Sequence, residues 1–189
     1  MKEDVALQRF VDRLNAAFAA TPPDLAAYFD ALETDDPVLR ARLDLLEDYA
    51  RTSLALGAAM RARFGVEDSE RARPAPLRLS VVSSDPPGSR ETQALLVARA
   101  ADGAEHQLVA RRRGGGWRLE AGAAPAIEPV AAQDSRLGSD RSRRDATLRA
   151  LTESMQGALV RLRAGELSSR REVEAAVGNE LARRLATEM

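Results

Sequence analysis

No cysteine occurs among the 189 residues, which excludes disulfides, thiolate metal sites and a cysteine nucleophile. Histidine is almost as scarce, with His106 alone. A metal site needs several nitrogen, sulfur or oxygen ligands converging, so one His and no Cys leave only carboxylate-rich sites, and no ligand spacing supports one. A Ser-His-Asp system would have to run through His106, and no serine sits in a nucleophile-elbow pattern. Aromatic residues make up only 4% of the chain, so the core must be built mainly from Leu, Val and Ala. Lys2 is the only lysine, and nearly all basic residues are Arg. Beside so much Ala, that is the coding bias of a GC-rich genome rather than a sign of bidentate anion binding. The formal charge is −1, so no global field attracts nucleic acid or an anionic membrane. No apolar run reaches the length of a membrane span, and "MKEDVALQRFVDRL" has no signal-peptide apolar region. A cytoplasmic protein is expected. No glycine pattern of the phosphate-loop or dinucleotide-binding kind opens a helix, so no cofactor is expected.

What is present is strongly periodic. Leu7, Phe10, Leu14, Ala17 and Phe18 recur at helical spacing and predict a helix over about 3–20. "TPPD" restarts the chain, with Thr21 as N-cap, Pro22 at the first helical position and Asp24 closing a capping box. Leu25, Tyr28, Phe29 and Leu32 form the face of that second helix. "DDP" restarts it again, with Asp36 as N-cap. From Leu39 through Leu43, Leu46, Ala50, Ser53, Gly57, Met60 and Phe64 the apolar and small positions step alternately by four and three. That predicts one long helix over about 36–64 with a 3.5-residue seam, widened by Val38, Leu45, Tyr49 and Leu56 and ended by Gly65. The small middle of the seam favours close approach of another element.

Residues 66–76 are polar and end in prolines, as a linker does. Then "LRLSVVSS", "ETQALLVARA", "EHQLVARRR" and "WRLE" alternate as strands. Leu77, Leu79 and Val81 mark the buried face of the first. Asp102–Gly103 and the glycines at 114–116 supply tight turns. An Ala/Pro/Gly-rich tether over 123–142 leads to a helix at about 143–164, stopped by Gly165. A last helix is capped by Ser169 with Glu172 and faces inward through Val173, Val177, Leu181 and Leu185. The expected fold is α+β: N-terminal helices packed on an antiparallel four-stranded meander in residues 1–122, plus a C-terminal αα-hairpin in 143–189. That hairpin cannot bury both apolar faces alone, so it should pack on the main domain or on a second copy.

Two clusters invite chemistry. Asp35, Asp36, Asp44, Glu47 and Asp48 gather around the start of the long helix, flanked by Arg40 and Arg51 at ion-pair spacing, and read as a solvated, salt-bridged face. "RRRGGGWRLE" looks like an anion grip. Strand alternation puts Arg111 and Arg113 on one face and Arg112 on the other, however, and a strand rather than a helix follows the glycines. Stacking on single-stranded nucleic acid prefers several aromatics, and Trp117 is alone. The stretch reads as a hairpin turn with Trp117 as a core anchor, and nucleic acid is not an expected partner.

The segment "ADGAEHQLVARRRGGGWRLEAG" resembles the terminal hairpin of nuclear transport factor two-like, or SnoaL-like, cone-shaped α+β domains. There a strand leads through a Gly-containing turn into a Trp-Arg-apolar strand. The resemblance covers about residues 3–122, with helices before the sheet in "LNAAFAATPPDLAAYFDAL". The chain departs from the family in its four strands, its long third helix and its added C-terminal hairpin. The resemblance implies a concave sheet able to hold a small ligand. Family enzymes place Asp and His in the cone, but no position here matches that dyad. The leading expectation is a non-enzymatic domain that binds a protein partner or a small apolar ligand, with Tyr28, Tyr49, Ser53 and Trp117 as candidate ligand contacts. A SnoaL-like pocket enzyme (isomerase, cyclase or hydrolase) using His106 with a carboxylate is the alternative. A homodimer or larger homo-oligomer built through its helices is the third reading.

Overall fold

Asp4 starts the first helix. Its carboxylate accepts from the N–H groups of Ala6 and Leu7, two of the donors that a helix start leaves unpaired. The computed structural model describes residues 4–21, 23–66, 78–85, 92–99, 105–120 and 141–188. Among them are five helices and one five-stranded sheet. In chain order they are α1 (Val5–Ala19), α2 (Leu25–Phe29), β1 (Leu32–Glu33), α3 (Pro37–Phe64), β2 (Arg78–Ser84), β3 (Gln93–Arg99), β4 (Glu105–Arg113), β5 (Gly116–Glu120), α4 (Arg141–Arg163) and α5 (Arg170–Glu188). The linker after Val66, the Asp102–Gly103 turn and all but the end of the 123–142 tether lie outside the described residues. Two compact units divide the chain. The first falls within Met1–Leu43 and Arg73–Ile127, the second within Asp44–Ala72 and Glu128–Met189. α3 is therefore shared, its opening turns belonging to the first unit and the rest to the second.

In the first unit α1 buries Leu7, Phe10, Val11, Leu14 and Ala17, the face that the helical spacing predicts. It lies against β2 and β5. Strand alternation gathers Leu79, Ala94, Leu96, Ala98, Leu108, Ala110, Trp117 and Leu119, all buried, onto one sheet face. Asn15 ties helix to sheet edge. Its amide nitrogen donates to the Leu79 carbonyl at 3.0 Å and its amide oxygen accepts from the Leu79 N–H at 2.7 Å. β2 is the edge strand, and this clamp satisfies main-chain groups that would otherwise be open to another strand.

The strand order is β1-β5-β4-β3-β2. The meander is antiparallel as expected, but β1 adds a fifth strand, parallel to β5, with Leu32 beside Leu119 and Glu33 beside Glu120. The sheet is thus mixed and five-stranded, not a four-stranded antiparallel meander. The error traces to Leu32. Its spacing assigns it to the second helix, but α2 closes at Phe29 and the chain turns at Asp30 and Ala31. The Leu119 N–H then donates to the Ala31 carbonyl at 2.7 Å. A two-residue strand is too short to show a period of two. The start of α2 also moves. Asp24, not Thr21, is the N-cap and accepts from the Ala27 N–H. Pro22, expected at the first helical position, lies outside the described residues.

On β2 only Leu79 is buried, while Val81 is exposed. A register shift between Val81 and Ser83 leaves Val82 without a cross-strand partner, as a β-bulge does. The β4–β5 turn is as read from the glycines. Arg113 pairs with Gly116, and the two residues between them, Gly114 and Gly115, have φ of 57° and 86°. Positive φ at both central positions is what a type I′ turn demands.

In the second unit Leu56 of α3 is buried with Met155, Ala158, Leu159 and Leu162 of α4, and with Leu167 and Val173 at the start of α5. Asp36 caps α3, accepting from Val38 and Leu39. Gly65 and Gly165, both with φ of 81°, end α3 and α4. The α5 cap is the expected pair with one change. Ser169 accepts from the Glu172 N–H, but the Glu172 carboxylate reaches back to Ser168. Those hydrogen bonds hold the Glu172 carboxyl below its ordinary range. Arg184 of α5 pairs with Glu153 of α4. Glu47 pairs with Arg51, in keeping with a solvated acidic face.

Two expectations about small residues change. Val38 is exposed rather than core-facing. At Gly57 an added Cβ would meet, among the described residues, only the Arg61 guanidinium, at 3.4 Å, so no other described element approaches closely there. Gly157 in α4 and Gly178 in α5 likewise face open space. A helix-interior glycine costs about 0.5–1 kcal/mol relative to alanine. Gly157→Ala and Gly178→Ala are each expected to raise unfolding free energy by about that amount. Urea denaturation checks this, and a loss of stability in either variant would mean that the position is occupied.

Candidate functional site

α1 carries Ala6, Arg9, Phe10 and Arg13 on neighbouring positions, because residues three and four apart share a helix side. Where α1 approaches β5, these residues face the stretch from Gly115 to Arg118 across a groove of about 480 Å³. The tight turn matters to this geometry, because two glycines at positive φ bring the backbone to the rim without side chains. Phe10 and Trp117 are buried, at 5% and 3% exposure, and give the groove an apolar floor. The Arg13 guanidinium lies 5.7 Å from the centre of the Phe10 ring, a cation–π distance. Arg9, Arg13 and Arg118 are exposed. None of them pairs with a carboxylate among the described residues. The acids of α1 are engaged elsewhere: Asp4 caps the helix and Asp12 accepts from Gln8 at 2.9 Å. The Trp117 indole N–H has no hydrogen-bond partner among the described residues.

A second cavity, of about 250 Å³, lies on the other sheet face beside β1. Here the three arginines of "RRR" behave as alternation requires, with Arg111 and Arg113 on this face. The antiparallel return strand adds Arg118 directly opposite Arg111. The patch is therefore Arg111, Arg113 and Arg118, a grouping not visible in the run itself. Acids neutralise most of it. Arg111 pairs with Glu120, and Arg113 reaches Asp35 at 3.0 Å and Glu33 at 3.9 Å. A third cleft, of about 290 Å³, is lined by Ser83, Asp85, Gln93 and Leu95. No group of three or more His, Asp or Glu side chains able to hold a metal occurs among the described residues.

No protein-family model matches this chain, and no curated protein or solved structure matches it at a significant level.

The expected ligand contacts divide between the units. Tyr28 and Trp117 belong to the first, Tyr49 and Ser53 to the second. Tyr28 is fully buried, 5.3 Å from Phe18 and 5.7 Å from Phe29 between ring centres. Its hydroxyl has no partner among the described residues, and burial pushes its pKa up to about 12. Tyr49 is half-buried against the α4–α5 core and hydrogen-bonds Ser53. Burial pushes its phenol up, which the Ser53 hydrogen bond partly opposes. Of the four, only Trp117 lines the groove. His106 sits on the same strand side as Leu108 and Ala110, opposite Ala98, but at the exposed end of β4. The adjacent Glu105 is engaged by Arg99 at 2.5 Å. None of the three cavities is lined by His106. Sequence reasoning missed Arg9, Phe10 and Arg13 as a site because their spacing is that of any amphipathic helix. Only the approach of β5 gives them a common target.

Proposed function

We propose that the chain is a small-ligand-binding domain, and that the ligand lies in the groove between α1 and the β4–β5 hairpin. The observation that carries this is the groove itself. Its volume falls in the range of roughly 300–1,000 Å³ usual for ligand sites, and its floor is the apolar edge of Phe10 and Trp117. Binding rather than catalysis is favoured by its lining, which offers arginines, apolar groups and glycine backbone. Among the described residues that line it, none offers a carboxylate, imidazole or hydroxyl to move a proton at neutral pH. The reading of residues 3–122 as a cone-like domain of the nuclear transport factor two-like kind is compatible with this. Its support is the arrangement of helices before the sheet and of a glycine turn before Trp117.

Trp117 is the only tryptophan, so energy transfer from it reports a fluorescent ligand directly. Phenylnaphthylamine, an uncharged aromatic probe, is expected to bind with transfer from Trp117. Ala6→Phe should fill the groove from the exposed side of α1 and weaken that binding about tenfold, while leaving the melting temperature within a few degrees, as exposed substitutions do. Binding unchanged in a folded Ala6→Phe protein would place the probe elsewhere and remove the groove as the site.

A further inference from the structure

We infer that the natural ligand of the groove is an organic anion: a planar apolar body carrying a carboxylate, sulfonate or phosphate head. This rests on the reading of the groove as the ligand site and adds its chemical class. In the arginine-lined cavity on the other sheet face, two of the three arginines are matched by acids. In the cavity beside β1, Glu120 takes Arg111, while Glu33 and Asp35 take Arg113. In the groove the balance is absent. Arg9 and Arg13 stand one helical turn apart on α1, and among the described residues no acid lines the space. Like charges held together without counter-charge repel one another, and an anion between them relieves that repulsion. Guanidinium groups present paired N–H donors that match the two oxygens of such a head. Phe10 and Trp117 then receive the flat body. Arg13, already against the Phe10 ring, is preorganised to hold the head where body and head meet.

A matched pair of probes separates this from the groove reading. Anilinonaphthalene sulfonate and phenylnaphthylamine share one aromatic body and differ in the sulfonate. The wild-type protein is expected to bind the sulfonate about tenfold to a hundredfold more tightly, the range for a charge-assisted contact. That preference should shrink as sodium chloride is raised from about 50 to about 500 mM. Arg9→Gln with Arg13→Gln should abolish the preference, bringing the ratio of the two probes' affinities to about one, whatever happens to each affinity alone. Both side chains are exposed, so the fold should survive, which circular dichroism checks. Equal binding of the two probes, with energy transfer from Trp117, would overturn the anion class and leave the groove standing. A sulfonate preference that survives the double substitution would overturn it as well. If neither probe takes energy from Trp117, the groove reading falls and the inference falls with it.

Discussion

Trp117→Ala is expected to lower unfolding free energy by about 3–5 kcal/mol, the cost of removing a large core aromatic. The ring is 3% exposed and lies on the sheet face that α1 covers, next but one to Leu119 on β5. Truncation would open a void beneath α1 and Phe10 at the end of the sheet. That end is closed by the two-residue Gly114–Gly115 turn, which offers no side chain to fill the void. Trp117→Phe should cost far less. It keeps much of the apolar area and removes an indole N–H that has no partner, whose burial is itself unfavourable by about 1–3 kcal/mol. Arg112→Ala, directly opposite Trp117 on β4 but exposed, should change stability by less than about 0.5 kcal/mol. Urea denaturation with unchanged slope would measure all three. A Trp117→Ala loss below about 1 kcal/mol would show that the ring contributes to the groove without anchoring the core.

What could be read in the sequence follows from the range over which each signal acts. Helix faces, caps and the glycine turn are set by residues within four positions of one another. α1, α3, α4, α5 and the Gly114–Gly115 turn accordingly match their patterns. Trp117 as an anchor also follows from alternation along a single strand. Features that depend on a partner distant in sequence did not show. β1 is two residues long, and its meaning comes from Leu119, far along the chain. Asn15 reads as an ordinary helix-interior polar residue until β2 arrives at its amide. The bulge at Val82 has no local mark and only appears when β3 is laid beside β2. The small seam positions suggested close approach, yet at Gly57 nothing from another element comes near. The candidate site shows the same division. Arg111, Arg112 and Arg113 caught attention because they are adjacent. Arg9 and Arg13 gain a common target only because α1 lies against β5. A run of like charge in one strand is therefore a poor guide to a binding site, since alternation disperses it and cross-strand acids neutralise it.

Tyr28→Phe is expected to stabilise the protein at neutral pH by about 1–2 kcal/mol, against the usual sense of a core substitution. Tyr28 is 1% exposed and its hydroxyl finds no acceptor or donor among the described residues. The native state therefore bears a desolvation cost that phenylalanine of the same shape avoids. The stacking on Phe18 and Phe29 remains in the variant. The same hydroxyl makes the wild-type protein alkali-sensitive. The unfolded phenol ionises near its ordinary 10.0, while burial raises the native value to about 12. The native state thus retains a proton that the unfolded chain gives up. Stability is full below pH 10 and falls as pH rises towards 12, by up to roughly 3 kcal/mol. Tyr49 is shifted in the same direction by burial, so Tyr28→Phe should remove most of the alkaline loss and leave a remainder that Tyr49→Phe removes. Denaturation at pH 7 and pH 11 tests both claims on one pair of proteins. If the variant is less stable at pH 7, the hydroxyl has a partner. If it is as sensitive at pH 11 as the wild type, the alkaline transition belongs to another group.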